Sequence, residues 1–357
     1  MIEPRHCFRS LRRTAPAAED RIGNVYRFDR NEKTTPFPQE HLKAILAAIH
    51  PDEIVAYPQL EPFYQKLASW LGVSRDQVLL ASGSDTAIKA VYEVYVDEGD
   101  EVVMLTPTYG MYQVYCRMFG AKPIDIRYEA DMSLPAERIL DAIDDDTKLV
   151  ALANPNHTGT VISEEDLLTI ARKALRHEAL VLVDEAYFHF YDRTMIRFVD
   201  DYENIVIIRT FSKAFGVAPL RIGYTVANKG VIDQLYKAKL THEITAFAAR
   251  TGEYLLDHLE IMRDYVQDVN EGKDVLYRRL PRRDCEVLRS EANFAFFKPP
   301  EGIDGKQVIR DLVERRIFIK GPFADVPFNG HLRVTVGTAS QMEMFCSAVE
   351  EIIGARS

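Results

Sequence analysis

The sequence has 357 residues, of which 47% are apolar and 27% charged, as in a globular protein with a large core. Since a typical domain has about 100–200 residues, this length favours two lobes. Lys and Arg number 44 against 54 Asp and Glu, and the resulting charge of −10 argues against binding along a nucleic-acid backbone. No apolar run reaches the ~18 residues of a membrane span, so we expect neither nucleic acid nor membrane as a partner.

The four cysteines, at positions 7, 116, 285 and 346, lie far apart and form no CxxC pair. This spacing indicates neither a disulfide framework nor a zinc site, so we expect reduced thiols, a cytoplasmic location and no metal. The arginines near the N-terminus, among them Arg5 and Arg9, are accompanied by acidic residues and by no apolar segment. They favour a mobile surface arm over a targeting signal.

Between residues 78 and 227, short apolar runs alternate with amphipathic stretches. The stretches 84–96 and 163–177 have helical patterns, and Ser163 followed by Asp166 is typical of an N-cap with an acidic first turn. The apolar runs predict strands buried on both faces, at 78–81, 101–105, 149–153, 180–183, 205–208 and 222–226. Strands that alternate with helices predict a mostly parallel sheet with helices on both sides.

Beyond residue 240 the pattern changes to a long charged helical stretch, 244–280, and then to shorter elements. These predict strands at 292–298, 317–320 and 332–336 and helices at 305–315 and 340–353. We therefore expect a large domain at 45–240 and a smaller α+β domain at 241–357. The residues at 1–44 carry little core of their own, so we expect an arm that packs with the small domain.

Polar residues follow the predicted strands at their carboxyl ends, where an open parallel sheet binds its ligands. After the first strand, Ser82-Gly83-Ser84-Asp85 opens a helix, whose free N–H groups and dipole suit a phosphate. Further along the chain, the corresponding positions hold Tyr109, Asn156, Asp184, Tyr187, Thr210, Ser212 and Lys213, with Arg221 eight residues beyond the lysine.

This set of side chains suits a flat, phosphorylated aromatic aldehyde. A lysine forms a Schiff base with an aldehyde. A carboxylate opposite a pyridine nitrogen keeps that nitrogen protonated, so that the ring accepts electrons. A tyrosine ring stacks on the pyridine, while an arginine and hydroxyl groups bind the phosphate.

The chain resembles the fold type I pyridoxal-phosphate enzymes of the aspartate aminotransferase superfamily, and among them the histidinol-phosphate aminotransferases. The resemblance rests on TPTYGMY at 106–112, VDEAY at 183–187, RTFSKAF at 209–215 and LRVTVGT at 332–338. It implies an α/β fold, with a three-layer α/β/α large domain around a mostly parallel seven-stranded sheet and a smaller α+β domain. It also implies pyridoxal 5'-phosphate as cofactor and ping-pong transfer between a small-molecule amino donor and a keto acceptor.

The resemblance further implies a role for each residue around the cofactor ring. Lys213 would form the Schiff base and carry the proton, while Asp184 would pair with the ring nitrogen. Asn156 and Tyr187 would bond the ring hydroxyl, and Tyr109 would stack on the ring. The catalytic residues would thus be Lys213, Asp184 and Tyr187.

Other residues match positions of the family that hold the phosphate or the substrate. The backbone amides of Ser84 and Asp85 would bind the phosphate, together with the side chains of Ser212 and Arg221 and with Thr210 nearby. Tyr57 matches a tyrosine that reaches the phosphate of a neighbouring subunit, which implies a homodimer with shared active sites. Arg333 matches the arginine that holds the acidic end of the substrate.

Three departures from the family pattern concern the substrate. His157 stands in Asn156-His157-Thr158-Gly159 where the family has a proline, and we expect a hydrogen-bonded turn residue, with substrate contact as the alternative. Lys320 replaces a second arginine, so it keeps the charge for substrate binding but loses the bidentate fork. The family's early Pro-Tyr has no clear counterpart near residues 8–11.

The preferred function is therefore transamination, with histidinol phosphate and 2-oxoglutarate as the first choice of substrates. Another amino acid or a pathway-specific amine remains an alternative, as does decarboxylation or elimination on an amino acid phosphate. A cofactor-binding DNA regulator would need an additional helix-turn-helix segment, and only about 25 residues precede the recognisable part. A nucleotide-binding protein would show GxGxxG or GxxxxGK[ST] after the first strand, and neither motif is present.

Overall fold

The computed structural model describes residues 2–3, 5–9, 11, 23, 25–129, 131–324 and 327–355. The expected mobile arm therefore lies largely outside the described residues. The described chain begins with helix α1 (His6–Arg9) and strand β1 (Tyr26–Arg27). Helices α2 (Gln39–Ala47) and α3 (Glu61–Leu71) then lead into the large sheet.

A seven-stranded sheet is the centre of the large lobe. Its strands are β2 (Val78–Ser82), β3 (Glu101–Thr106), β4 (Lys122–Arg127), β5 (Thr147–Ala153), β6 (Leu180–Asp184), β7 (Ile205–Thr210) and β8 (Ile222–Ala227). They lie in the order β2-β8-β7-β6-β5-β3-β4. Neighbouring strands are parallel except where β8 pairs with β2 and with β7. The prediction of a mostly parallel sheet is confirmed.

Burial explains which strands the apolar pattern detected. The strands β6, β7 and β8 are buried at every residue, and the sequences of β6 and β7 are continuously apolar apart from their carboxyl ends. Strand β4 lies at the edge of the sheet and has one buried residue, Ile126. Its polar sequence carries no signal of a buried strand, and the search for apolar runs missed it.

Helices cover both faces of this sheet. They are α4 (Ser84–Tyr95), α5 (Met111–Phe119), α6 (Ala136–Asp141), α7 (Glu164–Arg176), α8 (Phe188–Tyr191) and α9 (Lys229–Ala238). Because strand side chains alternate, Val103 belongs to the core on one face and Met104 to the core on the other. The three-layer architecture is confirmed. Ser163 caps α7 as predicted, since its Oγ accepts a hydrogen bond from the backbone N–H of Asp166 at 3.1 Å.

The rest of the chain contains the elements α10 (Ala246–Asp257), α11 (Glu260–Arg279), β9 (Glu286–Leu288), β10 (Phe294–Lys298), α12 (Gly305–Glu314), β11 (Ile317–Phe318), β12 (Leu332–Thr335) and α13 (Ala339–Gly354). Strands β12, β10 and β9 form an antiparallel sheet in this order. Strand β1 pairs in parallel with β11, so the N-terminal segment joins this smaller α+β lobe. Helix α10 instead packs on α3, where a Cβ on Gly252 would lie 2.4 Å from the ring of Phe63. The domain limits at 45 and 241 stay a prediction.

Two strand ends in the large lobe are joined by an ion pair inside the protein. Glu185, directly after β6, lies 2.8 Å from a guanidinium nitrogen of Arg209 in β7, and the two side chains are 1% and 5% exposed. The Glu185 carboxylate also accepts hydrogen bonds from the Met195 N–H and the Thr194 hydroxyl, both at 2.8 Å. The pair fixes the β6 and β7 ends that carry the candidate site.

We expect Glu185→Ala to lower the free energy of unfolding by about 3–5 kcal/mol, because the Arg209 guanidinium stays buried without its partner. Denaturant unfolding of the purified variant measures this loss. The control is Asp233→Ala, which breaks an exposed pair with Lys229 at 2.7 Å and should cost less than about 0.5 kcal/mol. Equal losses in the two variants would show that burial does not govern the pair.

Candidate active site

The carboxyl ends of the parallel strands bring the predicted residues together. Tyr109 follows β3, Asn156 follows β5, Tyr187 follows β6 and Lys213 follows β7. Tyr109 lies near Asp85 at the start of α4, with its hydroxyl 3.3 Å from the Asp85 carboxylate. The set predicted around the cofactor therefore occupies one edge of one sheet.

A cradle for a phosphate lies where β2 turns into α4. Gly83 has φ +81°, a backbone conformation that glycine adopts without strain, and a Cβ there would lie 2.2 Å from an Arg221 guanidinium nitrogen. The Arg221 Nη1 donates to Ser212 Oγ at 3.4 Å, and Thr210 Oγ1 donates to the same Ser212 oxygen at 2.9 Å. A cation, two hydroxyl groups and the free amides at the start of α4 thus converge, as a phosphate requires.

Strand β8, which lies between β2 and β7, packs directly against the backbone of this cradle. A Cβ on Gly223 in β8 would lie 2.3 Å from the carbonyl carbon of Gly83 and 2.5 Å from the amide nitrogen of Ser84. A side chain at this position would therefore displace the backbone that carries the phosphate-binding amides. The close approach of β8 explains why the position holds glycine.

Asp184 is buried at the end of β6, with 4% of its surface exposed. Its carboxylate accepts hydrogen bonds from the Tyr112 hydroxyl and from the Ala186 N–H, both at 3.0 Å. Burial raises the pKa of Asp184 to about 6, although these two donors act in the opposite direction. A carboxylate in this setting favours a cationic partner, such as a protonated ring nitrogen.

Lys213 and Tyr187 lie side by side, with the amine Nζ 5.7 Å from the centre of the tyrosine ring. The amine donates a weak hydrogen bond of 3.4 Å to the backbone oxygen of Arg30. The Tyr187 hydroxyl accepts a hydrogen bond of 2.9 Å from the side-chain amide of Asn31. Both contacts come from the N-terminal segment, which the sequence analysis did not connect with the site.

Asn156 is held by several hydrogen bonds within the protein. Its Oδ1 accepts from the Thr108 hydroxyl at 2.7 Å, and its Nδ2 donates to the Tyr128 hydroxyl at 2.8 Å. Tyr128 follows the polar edge strand β4 and was missed for the same reason as that strand. Tyr112 was missed as well. It ends the motif TPTYGMY and lies in helix α5, and the sequence does not indicate that this position contacts Asp184.

His157 faces the site. Its ring lies nearly parallel to Tyr109, with centroids 5.0 Å apart and an angle of 20°, and meets Tyr187 edge-on at 5.7 Å. Its backbone N–H donates to Asn156 Oδ1 at 2.7 Å within the turn, whereas its Nδ1 is buried without a hydrogen-bond partner among the described residues. Burial, and then the charges of Arg333 and Lys213, hold its pKa well below the usual range. Both effects favour the neutral form of the imidazole.

Arg333 and Lys320 lie opposite each other in the small lobe, where their backbones form an antiparallel bridge. Arg333 is 8% exposed and its Nε is buried without a hydrogen-bond partner among the described residues, while its guanidinium lies 5.3 Å from the ring centre of Phe294. Burial and the neighbouring Arg333 lower the pKa of Lys320. Both cations border a cavity of about 320 Å³, whose other lining residues include Tyr109, His157, Phe296, Phe323 and Phe328.

The donor set fits pyridoxal phosphate. The cradle at Gly83 suits its phosphate, Asp184 suits its ring nitrogen, and Lys213 is an amine beside the same space. Among the described residues no group of three or more side chains is arranged to hold a metal ion. No helix in the described part of the chain is long and apolar enough to cross a membrane.

The chain matches the family of class I and II aminotransferases over residues 23–349 and belongs to this family. It is a pyridoxal-phosphate-dependent aminotransferase, so the class predicted from the sequence is confirmed. It is 32% identical over 334 residues to the histidinol-phosphate aminotransferase of Caldanaerobacter subterraneus subsp. tengcongensis, with 92% of this chain and 93% of the relative covered.

Two further proteins show the same likeness. Histidinol-phosphate aminotransferase 1 of Archaeoglobus fulgidus is 33% identical over 298 residues, which cover 83% of this chain and 90% of that protein. The structure of histidinol-phosphate aminotransferase from Sinorhizobium meliloti, in complex with pyridoxal-5'-phosphate, superposes with a TM-score of 0.89. That match covers 100% of this chain and 99% of that chain at 23% identity, and it confirms the predicted fold.

The raised pKa of Asp184 predicts how the cofactor-free protein responds to pH. The pKa of this carboxyl group is about 6 in the folded protein, against an ordinary value of 3.8. As the pH rises, the unfolded chain therefore loses the proton at a lower pH than the folded protein does. The free energy of unfolding should therefore fall as the pH rises from 4 through 6, by about 2 kcal/mol relative to Asp184→Asn. Chemical denaturation of both proteins across this range measures the difference. Identical pH profiles would contradict the assignment.

Proposed function

We propose that this aminotransferase transfers the amino group between histidinol phosphate and 2-oxoglutarate. The observation that carries the proposal is the cavity of about 320 Å³, in which Arg333 and Lys320 lie beside an aromatic wall of Phe296, Phe323 and Phe328. An imidazole ring packs on aromatic side chains, and a phosphate pairs with the two cations. The same cations suit the carboxylates of 2-oxoglutarate, so one cavity serves both reactants in turn. The likeness to enzymes named for histidinol phosphate supports this choice.

The residues at the strand ends divide the work of catalysis. Pyridoxal phosphate supplies an electron sink for the bonds at the amino-bearing carbon of the substrate. Lys213 would hold the aldehyde through Nζ and, as a free amine, would take the proton from that carbon and deliver it to the aldehyde carbon of the cofactor. Asp184 stabilises positive charge on the ring nitrogen.

The remaining residues orient the cofactor. We assign Tyr187 and Asn156 to the ring hydroxyl and Tyr109 to the face of the ring. The amides of Ser84 and Asp85 bind the phosphate with the Ser212 hydroxyl and the Arg221 guanidinium, and Thr210 holds Ser212 in place at 2.9 Å. A phosphate held there would anchor the cofactor at the edge of the sheet that also carries Lys213.

The decisive experiment follows the visible absorbance of the purified, cofactor-loaded protein during stepwise additions. We expect histidinol phosphate or glutamate to bleach the absorbance band and 2-oxoglutarate to restore it, while neither amine should bleach the band of Lys213→Ala. Bleaching by other amines but not by histidinol phosphate would show that histidinol phosphate is not the substrate. Release of carbon dioxide from an amino acid phosphate, without use of a keto acid, would replace transamination by decarboxylation.

The charge of Lys320 should matter for the phosphorylated substrate. We expect Lys320→Gln to raise the KM for histidinol phosphate by about 10-fold or more, the value of a charged hydrogen bond, and to leave kcat largely unchanged. Lys306→Gln, an exposed cation on α12, is the matched control and should leave KM as it is. An unchanged KM in Lys320→Gln would remove this residue from the substrate site.

We further propose that the active unit is a homodimer in which Tyr57 reaches the partner's phosphate. Tyr57 is 78% exposed and stacks on His242, with ring centroids 4.0 Å apart. Next to it, Ile54 and Val55 are 73% and 85% exposed, and a cavity of about 560 Å³ extends from Tyr57 to α10. Exposed apolar residues around a cavity support an interface between subunits.

Mixing two inactive variants tests this shared site. At limiting cofactor, Tyr57→Ala and Lys213→Ala should each lose activity. After exchange of subunits, about a quarter of the wild-type activity should return, because half of the dimers then contain one intact site out of two. No recovery, although mixed dimers are demonstrated by native mass spectrometry, would show that Tyr57 acts within its own subunit.

We also propose a cytoplasmic location and the division into domains at 45 and 241. Cys7, Cys116, Cys285 and Cys346 all carry free thiols, which supports a reducing compartment. The separate seven-stranded and three-stranded sheets support the division. The pairing of β1 with β11 supports an arm that packs with the small domain.

A further inference from the structure

A short N-terminal segment, residues 28–32, is fixed to the smaller lobe by three hydrogen bonds to its backbone. On one side, the Thr335 N–H donates to the Phe28 oxygen at 2.7 Å. On the other, the Tyr265 hydroxyl donates to the Glu32 oxygen at 3.3 Å. In between, the Asn293 side chain donates to the Asn31 oxygen at 3.1 Å. The segment therefore has a defined position beside the candidate active site.

Asn31 occupies the centre of this segment and is 2% exposed. Its φ of +56° lies in the left-handed region, which asparagine tolerates better than most residues. The same segment places the Arg30 oxygen 3.4 Å from the Lys213 amine. The side chain of Asn31 is thus held in the interior in contact with Tyr187, while the preceding residue contacts Lys213.

The hydrogen bonds around Asn31 have a defined direction. The Thr335 Oγ1 accepts from the Asn31 backbone N–H at 2.9 Å, so its own hydrogen is available to donate to Asn31 Oδ1 at 3.2 Å. With Oδ1 turned towards Thr335, the Nδ2 group points to the Tyr187 hydroxyl at 2.9 Å. An amide NH2 only donates, so the Tyr187 oxygen accepts and its own hydrogen must point elsewhere.

We propose that Asn31, oriented by Thr335, is a positioning residue that directs the Tyr187 hydroxyl hydrogen towards the ring hydroxyl of the cofactor. The inference rests on the proposed role of Tyr187 and adds what sets the direction of its hydrogen bond. This relay of hydrogen bonds runs from Thr335 through Asn31 to Tyr187. It starts on β12, which also carries Arg333 two residues before Thr335. Residues two apart on a strand share a face, so the strand that binds the substrate also orients the group that binds the cofactor.

The test compares variants that introduce no charge and that change the relay with little disturbance of the fold. Asn31→Gly removes the amide and suits the positive φ, and Thr335→Val keeps the volume but cannot orient the amide. Tyr187→Phe removes the hydroxyl itself. Thr34→Val is the control, since Thr34 lies two residues beyond the segment and its hydroxyl donates to Gln341 Oε1 at 2.8 Å.

Two readouts besides activity are measured on each protein: the dissociation constant of pyridoxal phosphate, and the pH midpoint of the visible absorbance of the loaded protein. We expect Tyr187→Phe to weaken cofactor binding about 10-fold and to shift the midpoint by about one pH unit, the equivalent of one hydrogen bond. Asn31→Gly and Thr335→Val should shift the midpoint in the same direction. The double variant Asn31→Gly/Tyr187→Phe should shift it no further than Tyr187→Phe alone.

The outcomes separate this inference from the proposed function. If Tyr187→Phe moves the midpoint and neither Asn31→Gly nor Thr335→Val does, the relay is wrong and the role of Tyr187 stands. Additive shifts in the double variant would likewise overturn the relay, because they show that Asn31 acts independently of the hydroxyl. If Tyr187→Phe itself moves nothing, the proposed role of Tyr187 fails. Thr34→Val should leave the midpoint in place. A shift in this variant would show that any loosening near the segment moves the midpoint, and it would contradict a specific role for Asn31.

Discussion

A carboxylate inside a protein is the constraint on which this active site depends. Asp184 ends a fully buried strand, and its charge is stabilised by the Tyr112 hydroxyl and the Ala186 amide. Two hydrogen bonds do not replace the lost hydration, which is why burial raises the pKa of Asp184 to about 6. The site is therefore built for a cation at this point, and the other residues at the strand ends surround the space next to it.

The residues around Asp184 are also held in place by specific contacts. Glu185, the next residue in the chain, is locked to Arg209 across the ends of β6 and β7. The phosphate cradle is formed by close backbone contacts at Gly83 and Gly223. On the opposite side, residues 28–32 reach in from the N-terminus and contact both Lys213 and Tyr187. Side chains at the strand ends of the sheet thus meet residues that are more than 150 positions away in the sequence.

Much of this arrangement was predictable because it depends on local patterns. Buried parallel strands require continuous apolar runs, and the end of a strand fixes where the next polar residue lies, so Asp184 and Lys213 could be placed together. The edge strand β4 has no such pattern, and Tyr128 was lost with it. Asn31 could not be found from the sequence, because its contacts with Thr335 and Tyr187 depend on how the two lobes pack. The side chain of His157 likewise turns inward for reasons of tertiary packing.

The glycine at position 223 in β8 has a consequence for how this enzyme changes over time. At the cradle, the backbone of Gly223 lies so close to that of Gly83 and Ser84 that no side chain fits at position 223. The cations at the other end are side chains on a separate sheet and bridge, Arg333 and Lys320. Selection, or a protein engineer, can therefore vary the side chains at the cationic end of the pocket while the cradle is inherited intact.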